Sequence, residues 1–522
     1  MASYEKWLSG TPELNILNLL GLFDRPATAG AIAALRAEPA IDGLTDSLQN
    51  LNETKLKYAI KHLRDLRLLS ADEKDSDALD CHPLIREHFG ERLQQHNPEA
   101  WRQAHSRLYD YYKNLPEKDL PDTLEEMEPL FAAVTHGCIA GYPTKVWEEV
   151  YWPKISRGNE AFTEHKLGAF GAHLSALSNF FSKPWQKPIE GITEARNALV
   201  LSFAGFNLRA LGRLREAAEP MQAALELAEK QEEWKSAAVR AGNLSELFLT
   251  LGDVSRAVRF ARQSVEFADR GGDEMLRKAT RSRLADALHQ DGDLSESEKY
   301  FRESEEIQKK WQPEYPILYT VSGFQFCDLL LSHGQAQEAL ERAGQTIKWV
   351  KNLLSIALDY LTLGRAHLQL ALENIPLKRK FGEANPPSKG DFEEAARYLD
   401  QAVAGLRKAG QQDDLPRGLF ARAALRRALG QFEPAWEDLH EALEIAERGD
   451  MRLWLTDYHL EAARLCLAEM EAGSLRLEAG DLKLEAGEHT RAAAKLVEET
   501  GYHRRDLEVD ELEEALGLVK TG

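Results

Sequence analysis

The chain has 522 residues, of which 43% are hydrophobic and 29% charged, and its formal net charge is −20. That length exceeds one ordinary core and calls for several domains or a repeat array, while the hydrophobic share excludes a disordered chain. The acidic excess disfavours nucleic acid as a partner, because phosphate backbones are repelled unless a local basic patch overrides the overall field.

Cys81, Cys138, Cys327 and Cys466 lie too far apart for a zinc knuckle or a disulfide framework and fit a reducing compartment. The opening MASYEKWLSG lacks the apolar segment of a secretory signal, and no run reaches the ~20 apolar residues of a membrane span. A cytoplasmic location with no membrane partner is expected.

Residues 1–95 have their own pattern. LNILNLLGLF (14–23) predicts an apolar helix, and DRPATAGAIAALRA (24–37) a second with Pro26 near its start. ETKLKYAIKHLRDLRLLS (53–70) predicts a third, with Leu56, Ile60, Leu63 and Leu66 on one face. Two short extended pieces, Leu68–Ala71 and Ala78–Cys81, flank the turn DEKDSD; HPLIREHFGERL then opens a helix with Pro83 at its first position. Three helices, a two-stranded wing and a closing helix predict a winged-helix domain. Its eleven Lys and Arg face fifteen Asp and Glu, so Lys55, Lys57, Lys61 and Arg64 read better as a solvated face than as a DNA-reading stripe.

Residues 96–185, with AVTHGCIAGYPTKVWEEVYWPKISRG, read as a helical spacer containing a degenerate hairpin around Gly141, closed by the prolines of SKPWQKP. From 186 to 522 a repeat takes over. FNLRALGRLREAAEPMQAALELAEK (206–230) is a helix, a break at Gly212 and a second helix, with alanines five and twelve residues past the glycine. The same offsets recur as Gly252, Ala257 and Ser264; Gly292, Ser297 and Ser304; Gly334, Ala339 and Thr346; Gly390, Ala395 and Ala402; and Gly430, Ala435 and Ala442. A weaker copy has Gly487 and Ala492. The glycine steps are 40, 40, 42, 56 and 40, and the long step is attributed to an insertion loop, ENIPLKRKFGEANPPSKG (373–390).

Glycine suits the left-handed position that ends a helix. The small residue at +5 lets the second helix approach the first, and the one at +12 is expected to face the next hairpin. A single hairpin cannot cover its apolar stripe, so neighbours must stack. Pro220 should kink its helix, whereas Pro434 falls in a first turn that tolerates proline. The fold class expected is mainly α: a winged helix followed by an α-solenoid of helix hairpins.

The signature LG-x4-A-x6-A resembles the tetratricopeptide repeat, with a longer period than that family's usual one. A winged helix, a helical spacer and such repeats together resemble the C-terminal half of STAND-class (NB-ARC/NACHT-like) signalling ATPases. LNLLGLFDRPA, LDCHPLIREHFGERL, GFQFCDLLL and TGYHRRDLEVDEL are similar to phrases of bacterial members with repeat sensors. The resemblance implies a regulatory and sensing module. It also implies that His82, matching the histidine of the family's MHD-type motif, meets a nucleotide β-phosphate. Pro83 stands where the family has aspartate, and His82 serves equally well as a cap for the helix after the wing.

No G-x-x-x-x-G-K-[ST] loop occurs, so the nucleotide-binding ATPase the resemblance calls for would be another polypeptide or an upstream segment. HEALE at 440–444 lacks a second histidine, His82 and His88 do not share a helical face, and no G-x-S-x-G elbow appears. No enzyme activity and no cofactor are expected. A transcription regulator whose winged helix binds DNA is the alternative.

The inner wall of a superhelical array is built from the first helices of its hairpins. The positions nine and six before each glycine are Phe203 and Phe206, Asn243 and Glu246, Arg283 and Asp286, and Gln325 and Asp328. The last six read either as a recognition track for a protein or peptide, or as packing and ion pairing between hairpins. Tyr502-His503-Arg504-Arg505 reads as an aromatic-basic cluster, or as Tyr502 packed between helices with the charges facing water.

Overall fold

The computed structural model describes residues 2–49, 51–70, 78–373, 389–473 and 476–518. They form two compact units, Met1–Phe162 with Ile189–Thr193, and Thr163–Pro188 with Glu194–Gly522.

The first unit contains α1 (Ala2–Trp7), α2 (Pro12–Leu20), α3 (Ala29–Arg36), α4 (Asp46–Gln49), α5 (Glu53–Asp65), α6 (Pro83–His96), α7 (Pro98–Lys113), α8 (Leu124–Ile139) and α9 (Pro143–Val146), then a π-helical stretch, Trp147–Ser156. Local chemistry fixes the starts. Thr28, Asn52, Asn97 and Thr123 each accept a backbone N–H of the following first turn, and proline opens α2, α6, α7 and α9. The phrases LNLLGLF and HPLIREHFGERL meet at Gly21 and Gly90: a Cβ on Gly21 would lie 2.3 Å from the Gly90 nitrogen.

Two expectations are corrected in this unit. Leu68 and Leu69 are not a strand; both donate their N–H to Leu63 O as the chain leaves α5. Leu79 pairs instead with Ala27 in one antiparallel bridge, and a single bond joins Ser70 N to Asp80 O at 2.8 Å. A two-stranded wing is therefore not formed among the described residues of this unit, and the turn DEKDSD lies outside them. The spacer packs α7 against α8, turning through 114–123, and the expected hairpin around Gly141 is present as well: Gly141, at φ +87°, turns the chain from α8 into α9 and the π-helical stretch, which pack back against α8.

The second unit opens with α10 (Phe162–His165), α11 (Phe170–Ser178) and a small antiparallel pair, β1 (Phe181–Lys183) and β2 (Lys187–Pro188), formed by SKPWQKP. Helix hairpins follow: α12 (Glu194–Ala210) with α13 (Leu214–Lys230), α14 (Trp234–Leu251) with α15 (Val254–Gly271), and α16 (Glu274–Asp291) with α17 (Leu294–Trp311). The series continues with α18 (Thr320–Ser332) and α19 (Ala336–Thr346), α20 (Leu353–Glu373) and α21 (Lys389–Ala409), α22 (Leu415–Ala428) and α23 (Phe432–Gly449), and α24 (Arg452–Ala472) and α25 (Ala479–Thr500). A 3-10 turn, His503–Arg505, leads into α26 (Asp506–Leu516). The array of helix hairpins is thus present.

Gly212, Gly252, Gly292, Gly334 and Gly430 all sit between paired helices at φ +70° to +87°. Gly390 and Gly487 do not: they lie inside α21 and α25. The connection between α20 and α21 is the insertion 373–390, whose residues 374–388 are outside the described ones. α13 runs through Pro220 without interruption, and Pro434 is in the first turn of α23.

The small residues work as spacers. Ala217, Ala224, Ala257, Ala339, Ala395, Ala402, Ala435 and Ala442 are fully or almost fully buried. Where serine replaces alanine its hydroxyl is satisfied at once. Ser264 donates to Ala238 O at 2.7 Å, Ser297 to Ala285 O at 2.7 Å and Ser304 to Lys278 O at 2.8 Å. These acceptors are on the first helix of the same hairpin, so the serines at +12 turn inward to their own partner, not outward to the next.

The array curves until its two ends meet. Gln412 donates its backbone N–H to Ala210 O at 2.6 Å, and Arg215 pairs with Asp450 at 2.8 Å. A Cβ on Gly252 would lie 2.6 Å from Cβ of Arg452 and 2.8 Å from the Thr500 methyl. Gly430, at φ +70°, has open space around it. Gly430→Ala should therefore cost only the left-handed strain of about 1 kcal/mol, and Gly252→Ala should cost about 3 kcal/mol, because it also wedges the closure apart. Thermal unfolding of the full chain should rank wild type above Gly430→Ala above Gly252→Ala; equal losses would contradict the close approach.

Candidate ligand-binding cavity

Closure leaves a cavity of about 690 Å³ inside the second unit. Its walls are the first helices, α12, α14, α16, α18, α20, α22 and α24, together with Tyr502, Arg504 and Arg505. The volume is in the range of small-molecule and short-peptide sites. Phe206, Asn243, Glu246, Arg283, Asp286, Gln325 and Asp328 all line it. The spacing of nine and six before the glycine thus brings six polar side chains from three helices into one space. Phe203 packs instead against His173, ring centres 6.0 Å apart.

Several of these groups are engaged with each other. Glu246 accepts from Arg283 Nε at 2.8 Å and from Arg209. Burial works against its charge, yet Arg283 and Arg209 prevail and hold Glu246 down at about 2. Asp286 accepts from Gln290 at 2.8 Å and Gln325 at 3.1 Å, with no guanidinium bonded to it; burial pushes it up to about 6. Asp328 receives both terminal nitrogens of Arg504, at 2.6 and 3.0 Å, and Arg365 at 2.7 Å. Burial would raise it, but the two cations keep it well below the usual carboxylate range.

Sequence spacing did not reveal the opposite wall. Arg209 also reaches Asp413 (3.4 Å), Arg417 pairs with Asp414 (3.2 Å), and Arg505 donates to Asp457 (2.9 Å). Arg504 and Arg505 were expected to face water; they turn inward, because carboxylates of α18 and α24 take them. Tyr502 is buried beside them as expected, and only His503 of that cluster is exposed. The signal available beforehand was the density of charge in TGYHRRDLEVDEL.

Three of the lining residues expected from the sequence keep hydrogen-bonding capacity toward the cavity. The side-chain amide of Asn243 and the terminal nitrogens of Arg283 make no bond among the described residues, and Gln325 Oε1 is buried with no donor. Gly242 makes this arrangement possible. It sits mid-helix in α14, where glycine costs about 1 kcal/mol relative to alanine, and a Cβ there would meet Arg283 at 3.0 Å.

His82 lies in the first unit, exposed, with Nδ1 accepting the Leu84 N–H at 3.3 Å. It caps α6. Among the described residues no group of His, Cys, Asp and Glu could hold a metal ion, all four cysteines are buried and unpaired, and no helix is long and apolar enough to cross a membrane.

Asp286 gives this site a pH signature. Its folded value of about 6 exceeds that of an unfolded aspartate, so the folded state holds the proton more tightly. Its contribution to stability is full below about pH 4 and is lost as pH rises through about 6. Relative to Asp286→Asn, the wild type should lose on the order of 3 kcal/mol across that interval. Parallel denaturation profiles for the two proteins from acid to neutral pH would refute this assignment.

No protein-family model and no curated protein matches the chain. Solved structures with similarity include a signal transduction ATPase with numerous domains (STAND) protein with a tetratricopeptide-repeat sensor from Pyrococcus horikoshii, 12% identical, covering 98% of this chain and 67% of that one at a TM-score of 0.33. A Rap protein complexed with competence and sporulation factor is 14% identical, covering 80% and 93%, at a TM-score of 0.34. A circular tandem repeat protein is 15% identical, covering 97% and 95%, at a TM-score of 0.15. These scores are too low to carry a ligand or a role across, and the fold stands on the hairpins themselves.

Proposed function

We propose that the second unit is a non-enzymatic receptor module that binds a short peptide, or an exposed segment of a protein partner, inside its cavity. One observation carries the reading: side chains from α14, α16 and α18, placed at a constant offset from their glycines, converge on one cavity with unspent donors and an unspent acceptor. Asn243 and Gln325 suit a peptide's alternating N–H and C=O groups, and Arg283 adds charge selection. Glu246, Asp286 and Asp328 set the geometry from behind: each is tied to neighbouring residues, so the groups facing the ligand are held in place. A cavity of about 690 Å³ suits a short segment, whereas an extended inner wall would take a long one.

In this reading the protein is the sensing part of a signal-transduction switch of the STAND type, and the first unit relays occupancy to a nucleotide-binding ATPase domain in cis or in trans. His82 is the proposed contact to that nucleotide; its Nδ1 serves the α6 cap, leaving Nε2 to face a phosphate. Nucleic acid has no part in this reading, since the chain is acidic and the cavity lies within the array.

Selection of a displayed short-peptide library on the full chain tests the binding role. Enriched peptides should bind wild type and lose about tenfold or more in affinity on the combined Asn243→Ala, Arg283→Ala, Gln325→Ala variant, with helicity checked by circular dichroism. Equal binding to the folded variant, or no enrichment at all, would dismiss it.

A further inference from the structure

Lys278 is the cation on the cavity wall that the ion-pair network leaves out. Arg209, Arg365, Arg417, Arg464, Arg504 and Arg505 each have a carboxylate partner. Lys278 lines the same cavity, is only 7% exposed, and has no carboxylate partner and no side-chain hydrogen bond among the described residues. Its one recorded contact is with the Tyr319 ring, 5.5 Å from Nζ to the ring centre. Arg283 lies nearby on the same helix, and burial together with that second cation pushes the Lys278 ammonium down to about 8.

Packing does not call for a lysine here. One repeat earlier, forty residues back, the equivalent position is Ala238. The two positions do the same structural work: the backbone carbonyl of Ala238 accepts the Ser264 hydroxyl, and that of Lys278 accepts the Ser304 hydroxyl. The array holds the hairpin together identically with a methyl group or with an ammonium. A buried, uncompensated cation beside another cation lowers stability, so its presence at a position that alanine fills elsewhere points to a ligand.

Two neighbouring unspent groups can donate. The Arg283 guanidinium uses Nε on Glu246 and keeps its terminal nitrogens, and Gly242 gives it room to lie across α14; the next residue, Asn243, brings a side-chain amide. An ammonium, a guanidinium edge and an amide are all donors, and two are charged. We propose that Lys278, the terminal nitrogens of Arg283 and the amide of Asn243 form an anion subsite of the cavity, which holds a carboxylate or phosphate group of the ligand. The proposal rests on the receptor reading above and specifies the chemistry of one end of what is bound.

The test uses the full chain with inorganic phosphate and, separately, acetate, each against chloride at matched ionic strength. Phosphate stabilises proteins in general by exclusion from their surface, so the informative quantity is the difference between wild type and variant. Bound anion should raise the wild-type melting temperature by about 2 °C more than that of Lys278→Met. Without added anion, Lys278→Met should melt at or above wild type, because it removes an unpaired buried charge from a position that tolerates alanine one repeat earlier. Asn243→Asp is the second variant: it supplies a built-in carboxylate and should likewise abolish the anion response. A wild-type response to phosphate alone assigns a phosphoryl group; a response to both anions assigns the broader carboxylate class. Equal responses in wild type and both variants, or none in wild type, would overturn the subsite. If selected peptides bind but the anion response is absent, the subsite alone fails; an anion response without peptide binding leaves the subsite and removes the peptide reading.

Discussion

The meeting of Asp328 with Arg504 ties the last segment of the second unit to the middle of its array. Asp328 sits on α18, in the middle of the array, and Arg504 comes from the 3-10 turn after the last hairpin, 176 residues later. Arg504 also reaches Gln290 on α16 at 3.1 Å and Ser332 on α18 at 3.1 Å. A carboxylate buried in this way is stable only when its cations are in place. The pairing therefore couples the position of the C-terminal segment to the fourth hairpin, on the wall of the cavity that the contacts between the first and last hairpins close.

Closure also explains the division of labour within each hairpin. The second helices bury one stripe; in α15 it runs Val254, Ala257, Phe260, Ala261, Ser264, Phe267 and Ala268, at the spacing of a helix with one covered face. The first helices are covered on nearly every side. In α16, Leu276, Lys278, Thr280, Ser282, Leu284 and Asp286 are all buried, because α15 and α17, the next hairpin and the cavity surround it. Polar residues on such a helix must find partners, and the network of Arg209, Glu246, Arg283, Asp286, Gln325 and Asp328 is the result. What remains after pairing, chiefly Lys278, Asn243 and part of Arg283, is the portion that faces the cavity unmatched.

The first unit follows a different logic. Its helix starts are set by capping side chains and prolines, and α2 and α6 approach closely where two glycines meet. The extended segment around Leu79 pairs with Ala27, so the connection ahead of α3 provides the bridge, and among the described residues those following α5 add only the Ser70–Asp80 bonds. Arg67 takes a left-handed conformation, φ +58°, and Leu68 and Leu69 stay bonded to Leu63, which uses up the residues that a wing strand would have needed.

The local rules were legible in the sequence. A glycine that ends a helix with positive φ, and small side chains at fixed distances from it, are consequences of backbone geometry and close packing, so they recur visibly at Gly212, Gly252, Gly292 and Gly430. The same stride named the residues that line the cavity, because helical periodicity repeats their orientation from hairpin to hairpin. Gly390 and Gly487 matched the spacing and yet sit inside helices, since the offset alone does not say which glycine carries the turn. Only the tertiary structure decided that the array bends far enough to close, that Arg504 and Arg505 turn inward, and that Lys278 is left unpaired. Curvature accumulates from small rotations at every interface, and ion pairing between residues some 176 positions apart has no local signature; both are settled only when the whole chain is packed.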